Sequence, residues 1–198
     1  MNKSLKNKAV NFHIGENCNM DCKFCFAKYG MKKELSKQES LEVIRLLAEA
    51  GVSKINFAGG EPFLKPHLGS LIQYAKQRGM TTGVITNGSK LTRLWLKTFG
   101  PYLDWLGVSI DAVSAESNKV SGRVDKKGIP QNVEALEFYL SEAREMGIKI
   151  KINTVVSKYN LDEDLSALIK RVSPDRWKIF QALPIEGANS GEEFVVSD

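Results

Sequence analysis

Along this chain a short apolar strand, a turn and an amphipathic helix follow one another at a spacing of about thirty residues. Strand character reads at 9–14 ("AVNFHI"), 52–58 ("VSKINFA"), 81–86 ("TTGVIT"), 103–110 ("LDWLGVSI"), 148–156 ("IKIKINTVV") and 175–183 ("DRWKIFQAL"). Helical periodicity fills 36–50, 67–79, 91–99, 131–146 and 161–171, with Ser36 and Asp162 placed as N-caps. In "SLEVIRLLAEAG", Leu41, Ile44, Leu47 and Ala48 share one face and Gly51 ends the run. Strictly alternating strands and helices imply a parallel sheet covered by helices. Eight such units close a barrel of about 250 residues. Six units in 198 residues therefore predict an α/β fold, a partial (βα)6 TIM-like barrel, formed as a single domain over 1–198. The sixth strand is followed by "EGANSGEEFVVSD" and no covering helix, so a further C-terminal segment is expected to be missing.

Side chains alternate across a strand, so residues two apart share a face. Asn11 with His13, Lys54 with Asn56, Ser109 with Asp111, Lys151 with Asn153, and Arg176 with Lys178 form polar faces. The opposite faces are apolar: Ile55 with Phe57, Ile150 with Ile152, Trp177 with Ile179. An inert barrel strand is apolar on both faces. A buried lysine without a counter-charge costs several kcal/mol or loses its proton, so these cations predict an anion or a wet cavity inside the barrel. Their number suits a polyphosphate better than a lone carboxylate. A net charge of +5 agrees with an anionic partner, although most basic residues, including Lys3, Lys6 and Lys8, are ordinary solvated positions.

All three cysteines stand within eight positions of "ENCNMDCKFCFAKYG" (16–30), directly after the first strand: Cys18, Cys22 and Cys25. The opening residues "MNKSLKNKAV" lack the apolar stretch of a secretory signal, and no apolar run reaches membrane-span length, so a cytoplasmic protein is expected. Cytosol does not sustain structural disulfides, and an odd count of closely spaced thiols favours ligation of a metal or cluster. Three thiolates can hold three corners of a cubane iron–sulfur cluster, which normally takes four protein ligands. With no fourth cysteine, one iron would stay open to an exogenous ligand, as in catalytic metal sites. The loop also lies at the C-terminal end of a barrel strand, where this architecture builds its active sites.

At these residues the sequence resembles a known family. "CNMDCKFC" is similar to the C-x-x-x-C-x-aromatic-C signature of radical S-adenosylmethionine enzymes, with Phe24 in the aromatic position. The resemblance implies a [4Fe-4S] cluster on Cys18, Cys22 and Cys25, with S-adenosyl-L-methionine chelating the open iron and yielding a 5'-deoxyadenosyl radical. "GGEP" (Gly59, Gly60 and Glu61, then Pro62) resembles the segment that holds the methionine ammonium, while Asn87, Ser109 and Asn153 resemble ribose and methionine contacts. Within the superfamily, "VNFHIGENCNMDCKFCF", "VSKINFAGGEPFL", "TNGSKL", "SGR", "IKINTVVSKYNLDEDL" and "SPDRWKIFQALPIEGANSGE" resemble the viperin family and its prokaryotic members, in order over nearly the whole chain.

That resemblance implies an antiviral nucleotide dehydratase, a lyase. The radical would remove the ribose 4'-hydrogen of a nucleoside triphosphate and the 3'-hydroxyl would leave as water. The resulting 3'-deoxy-3',4'-didehydro nucleotide is a chain terminator. Lys54, Arg123, Lys151 and Lys178 match nucleotide-contacting positions, with Arg176 beside them, Asn11 near the base or ribose, and His13 at the family's histidine. His67 matches nothing and is expected at the surface. An electron donor such as a flavodoxin or ferredoxin is implied. No nucleic-acid partner and no membrane are expected, and a monomer is. The membrane helix of some members and the C-terminal extension with its catalytic tyrosine have no counterpart in this sequence. Two other readings compete: a radical enzyme acting on a nucleobase precursor or a tRNA, and a zinc-stabilised nucleic-acid-binding module with His13 as fourth ligand.

Overall fold

A computed structural model of the chain describes residues 8–27, 30, 33–189, 191 and 193–196. Lys3 and Lys6 lie outside the described residues. Six parallel strands, β1 (Ala9–His13), β2 (Lys54–Ala58), β3 (Thr81–Thr86), β4 (Trp105–Ser109), β5 (Lys149–Val156) and β6 (Arg176–Gln181), pair in sequence order. The sheet curls into an open half-barrel, as expected. Its helices are α1 (Lys37–Glu49), α2 (Leu68–Gln77), α3 (Arg93–Phe99), α4 (Ala115–Val120), α5 (Val133–Glu145) and α6 (Ser166–Val172), with short 3-10 turns at Pro62–Leu64 and Gly100–Tyr102.

Period two along the strands separates the two faces. Ile55, Phe57, Val84, Leu106, Val108, Ile150 and Ile152 point outward into one core with helix residues such as Ile44, Leu71, Ile72, Leu136 and Leu140. Burial of this apolar surface is the main force holding the helices on the sheet. α1 starts where expected because Ser36 and Glu39 form a reciprocal capping box, satisfying two backbone N–H groups.

Two expectations are corrected and one helix is added. The helix placed over 161–171 begins only at Ser166, and Asp162 does not cap it. Asn160 and Glu163 are instead committed to tertiary bonds: Asn160 Nδ2 donates to the Asp111 carbonyl at 2.7 Å, and Glu163 accepts from the Val113 N–H at 2.9 Å. Those bonds hold 157–165 as a turn. The six-residue α4, started by a Ser114 cap, escaped detection because it is too short to show an apolar period. His67 is half-buried at the start of α2 rather than at the surface. On β6 the outward-facing Trp177 and Ile179 remain 39% and 58% exposed.

Candidate active site

The cysteine loop grows out of the β1–β2 ladder. Beyond the last strand pair, Ile14 N–H bonds the Ala58 carbonyl at 2.9 Å, Gly60 N–H bonds Gly15 O at 2.9 Å, and Glu61 N–H bonds Asn17 O at 2.8 Å. Gly59 takes a φ of +145°, which side-chain-bearing residues rarely adopt. A Cβ at Gly60 would overlap the carbonyl oxygens of Glu16 and Asn17. The bare backbone of "GGEP" is required by the chain's own cysteine loop.

Glu61 is 2% exposed and its carboxylate accepts internal bonds. It accepts from the Thr86 hydroxyl at 2.7 Å, the Asn87 N–H at 2.8 Å and the Phe63 N–H at 3.0 Å. Burial raises its pKa in spite of these donors. The sequence reading aimed this charge at a methionine ammonium. In the fold, Glu61 ties the end of β2 to the end of β3 and so fixes Asn87 beside the loop.

Cys18, Cys22 and Cys25 are free thiols, partly buried. The Cys18 sulfur accepts from the Met20 N–H at 3.4 Å and lies 3.8 Å from Asn87 Nδ2. Burial raises the pKa of Cys18 and pushes Cys22 up to about 11. Phe24 is buried against Cys22, Val155, Tyr159, Ala182 and Phe194, and its carbonyl accepts from Asn189 Nδ2 at 2.7 Å. Residues after β6 thus fold back onto the cysteine loop, and Phe24 serves as its anchor there.

Arg123 belongs to the same end of the molecule. It is 4% exposed and pairs with the equally buried Asp111, Nε to Oδ2 at 2.7 Å. Burial opposes its charge, but Asp111 and Cys22 outweigh that and raise its pKa. The sequence reading grouped Arg123 with the strand lysines; in the structure its Nη1 also donates to the Ser109 carbonyl at 3.4 Å, and its charge acts on Cys22. Gln131, which sequence did not single out, donates from Nε2 to the Asn87 carbonyl at 2.7 Å and the Ser109 carbonyl at 2.8 Å. It thereby fixes the spacing of the β3 and β4 ends from 44 and 22 residues away along the chain. Nothing in a single sequence marks such a bridge.

The concave face carries the cations in ordered rows. Ser109, Asn153 and Lys178 are register partners across β4, β5 and β6, and one row deeper stand Gly107, Lys151 and Arg176. Deeper still, Asn11, Asn56, Gly83, Trp105 and Lys149 align across β1 to β5. Asn56 Nδ2 donates to Asn11 Oδ1 at 3.1 Å. Lys151 lies over Gly107, where an added Cβ would stand 2.8 Å from its Cε. Burial and the charges of Lys178, Lys54 and Arg176 lower the Lys151 pKa to about 8. Lys54 is lowered by burial and then by Arg176. Among the described residues no ion pair neutralises Lys54, Lys151, Arg176 or Lys178. Lys54 and Lys151, held against burial, and the exposed Arg176 and Lys178 bring four like charges to one face, a surface whose charge suits an anion.

Three thiols on one loop, N–H donors toward the Cys18 sulfur and the Arg123 cation near Cys22 fit a cubane cluster with three protein ligands. Among the described residues no three His, Cys, Asp or Glu are gathered tightly enough for a single metal ion. Ligands on one tetrahedral zinc would stand about 4 Å apart, given zinc–sulfur bonds of about 2.3 Å, whereas a cluster with an iron at each corner spaces its thiolates more widely.

Residues 12–172 match the Radical SAM superfamily. An S-adenosylmethionine-dependent nucleotide dehydratase of Flammeovirga pacifica is 43% identical over 199 residues, covering 96% of this chain and 68% of that protein. One from Lacinutrix mariniflava is 44% identical, covering 100% of this chain and 43% of its own length. The S-adenosylmethionine-dependent nucleotide dehydratase RSAD2 of Danio rerio is 38% identical over 96% of this chain and 56% of its own. The chain thus spans between 43% and 68% of the length of these curated relatives. In fold it is similar to Streptococcus suis SuiB bound to S-adenosylmethionine, with a TM-score of 0.76, 16% identity and coverage of 98% of this chain and 44% of that one.

Proposed function

The chain belongs to the radical S-adenosylmethionine superfamily and, within it, to the S-adenosylmethionine-dependent nucleotide dehydratases, and on that footing we propose that it dehydrates a ribonucleoside triphosphate to its 3'-deoxy-3',4'-didehydro analogue. The observation that carries the triphosphate reading is the group of four unneutralised cations, Lys54, Lys151, Arg176 and Lys178, on the concave face below the cysteine end.

Bound together, the [4Fe-4S] cluster and S-adenosyl-L-methionine supply a 5'-deoxyadenosyl radical able to take the ribose 4'-hydrogen, with electrons drawn from a donor such as a flavodoxin or ferredoxin. The chain's own residues do the holding and aiming. Cys18, Cys22 and Cys25 offer three thiolates, and ligation must displace protons that burial favours on Cys18 and Cys22. Arg123 offsets the negative charge that accumulates there. Gly59, Gly60 and Glu61 fix the loop, so that Asn87, Ser109 and Asn153 stand at the rim between cysteines and cations as candidate contacts to cofactor and ribose. Lys178, in the same rim row, and Lys151 and Arg176, one row deeper, hold phosphate oxygens, and Asn11, bonded to Asn56, offers a polar edge near ribose or base. Fixing the phosphates fixes the ribose relative to the radical, the positional form of catalysis.

A product without a 3'-hydroxyl cannot be extended by a polymerase, which supports a role in defence against viruses. No helix among the described residues is long and apolar enough to cross a membrane; a cytoplasmic monomer is part of the proposal. The test is anaerobic incubation of cluster-loaded protein with reductant, S-adenosylmethionine and each of the four ribonucleoside triphosphates. One nucleotide should emerge lighter by one water, in step with 5'-deoxyadenosine. Formation of 5'-deoxyadenosine with all four nucleotides unchanged would overturn the proposal.

A further inference from the structure

Trp105 opens β4 on the concave face, and three cations from three other strands surround its indole. Lys54 Nζ lies 4.5 Å from the ring centroid, Lys149 Nζ 5.5 Å and Arg176 Cζ 5.7 Å. All four residues are the first of their strands, at the end of the sheet opposite the cysteine loop. Gly83 is the register partner of Trp105 on β3 and has no side chain to separate the indole from Lys54 on β2. The ring is only half-buried.

The face of an indole carries negative potential, which attracts ammonium and guanidinium groups and repels phosphate oxygens. An anion descending from the rim meets Lys178 and Asn153, then Lys151 and Arg176, and then a layer whose centre is this ring. Beyond Lys151 the space an anion could enter is filled by the indole itself, with Lys54 and Lys149 drawn onto its ring. Arg176 stands at the boundary, at the depth of Lys151 yet within reach of the indole.

Resting on the triphosphate reading above, we propose that Trp105 is the floor of the anion site and sets the length of phosphate chain it accepts, admitting a triphosphate and refusing a tetraphosphate. It is a specificity-determining residue that touches the end of the substrate remote from the chemistry. Removing the indole opens a void lined by Lys54, Lys149 and Arg176, three cations released from the ring and available to a fourth phosphate.

The experiment is calorimetric titration of cluster-loaded protein, with S-adenosylmethionine present, using adenosine and guanosine 5'-di-, tri- and tetraphosphates. Wild type should bind triphosphate in preference to both neighbours. In Trp105→Ala the ratio of tetraphosphate to triphosphate affinity should rise by about tenfold or more, the scale of one desolvated cation–π contact. Trp105→Phe, which keeps a ring, should retain the wild-type limit. Should the alanine protein fail to load its cluster, Trp105→Leu is titrated in its place and should show the same gain. An unchanged ratio in a folded variant, beside a wild type that does prefer triphosphate, would overturn the floor and leave the triphosphate reading standing. A wild type indifferent to phosphate number would overturn both.

Discussion

The two ends of the half-barrel handle charge in opposite ways. At the cysteine end, buried charges are already answered: Arg123 by Asp111, and Glu61 by donors from Thr86, Asn87 and Phe63. On the concave face, Lys54, Lys151, Arg176 and Lys178 stand together without an ion pair among the described residues, Lys54 and Arg176 over the ring of Trp105 and Lys178 over that of Phe180. A closed network holds a fixed geometry at low cost once every group has a partner. An open set of like charges lowers its own stability and is relieved only when an anion arrives. On the proposed function, the first end keeps a resident group in place and the second waits for a substrate that comes and goes.

The largest effect should come from the cysteines, and it should be confined to one end. Changing any one of Cys18, Cys22 or Cys25 to alanine should abolish reductive cleavage and lower the iron content from about four per chain, with triphosphate binding retained. Gly60→Val should resemble these variants, because the new side chain meets the loop carbonyls of Glu16 and Asn17. Full iron content in Gly60→Val would show that the loop does not need that close approach.

Next in size is the buried pair. Arg123→Met leaves Asp111 charged and without its partner, which should cost about 3 to 5 kcal/mol of folding stability. Lys178→Ala, on the open face, should leave the melting temperature unchanged or raise it, since it removes repulsion from Lys151. Equal destabilisation by the two variants would erase the distinction drawn between the ends.

Much of this arrangement was legible in the sequence, for identifiable reasons. Cysteine spacing and "GGEP" are local, and period two along a strand puts Lys151 and Asn153 on one face whatever surrounds them. Partners remote in sequence were not legible. Arg123 carries a charge that suits a phosphate, and only the fold brings it to Asp111 and turns it toward Cys22. Glu61 reads as a cofactor-segment residue because of its neighbours in sequence, and only the fold shows that Thr86, 25 residues away, bonds its carboxylate. The start of α6 was misplaced for a similar reason, since Asn160 and Glu163 bond to distant backbone instead of extending the helix.

Smaller effects test the open end directly. Lys151→Ala and Lys178→Ala should each weaken triphosphate binding roughly ten- to a hundredfold, since a charge-assisted contact is worth about 1.5 to 3 kcal/mol. Affinity of the wild type should fall as pH rises through about 8, where Lys151 loses its proton. Above that value binding should take up a proton, visible as a dependence of the calorimetric heat on the buffer. Lys151→Arg should bind without this pH dependence. The unliganded protein should behave in the opposite sense. With the folded pKa at about 8 and the ordinary value at 10.5, the unfolded chain holds the extra proton between the two, so this group makes stability rise with pH across that window. A pH-independent affinity would mean that Lys151 does not face the phosphates.

The central claim is that both ends act on one molecule, the cations holding the phosphates while the cysteine end delivers a radical to the ribose. Incubation of the cluster-loaded protein with the 4'-deuterated form of whichever ribonucleoside triphosphate it dehydrates, followed by mass analysis of the 5'-deoxyadenosine, tests this most directly. One deuterium should appear in the 5'-deoxyadenosine, and the same label on the monophosphate should transfer far less. Unlabelled 5'-deoxyadenosine from the triphosphate, or equal transfer from the monophosphate, would contradict the account.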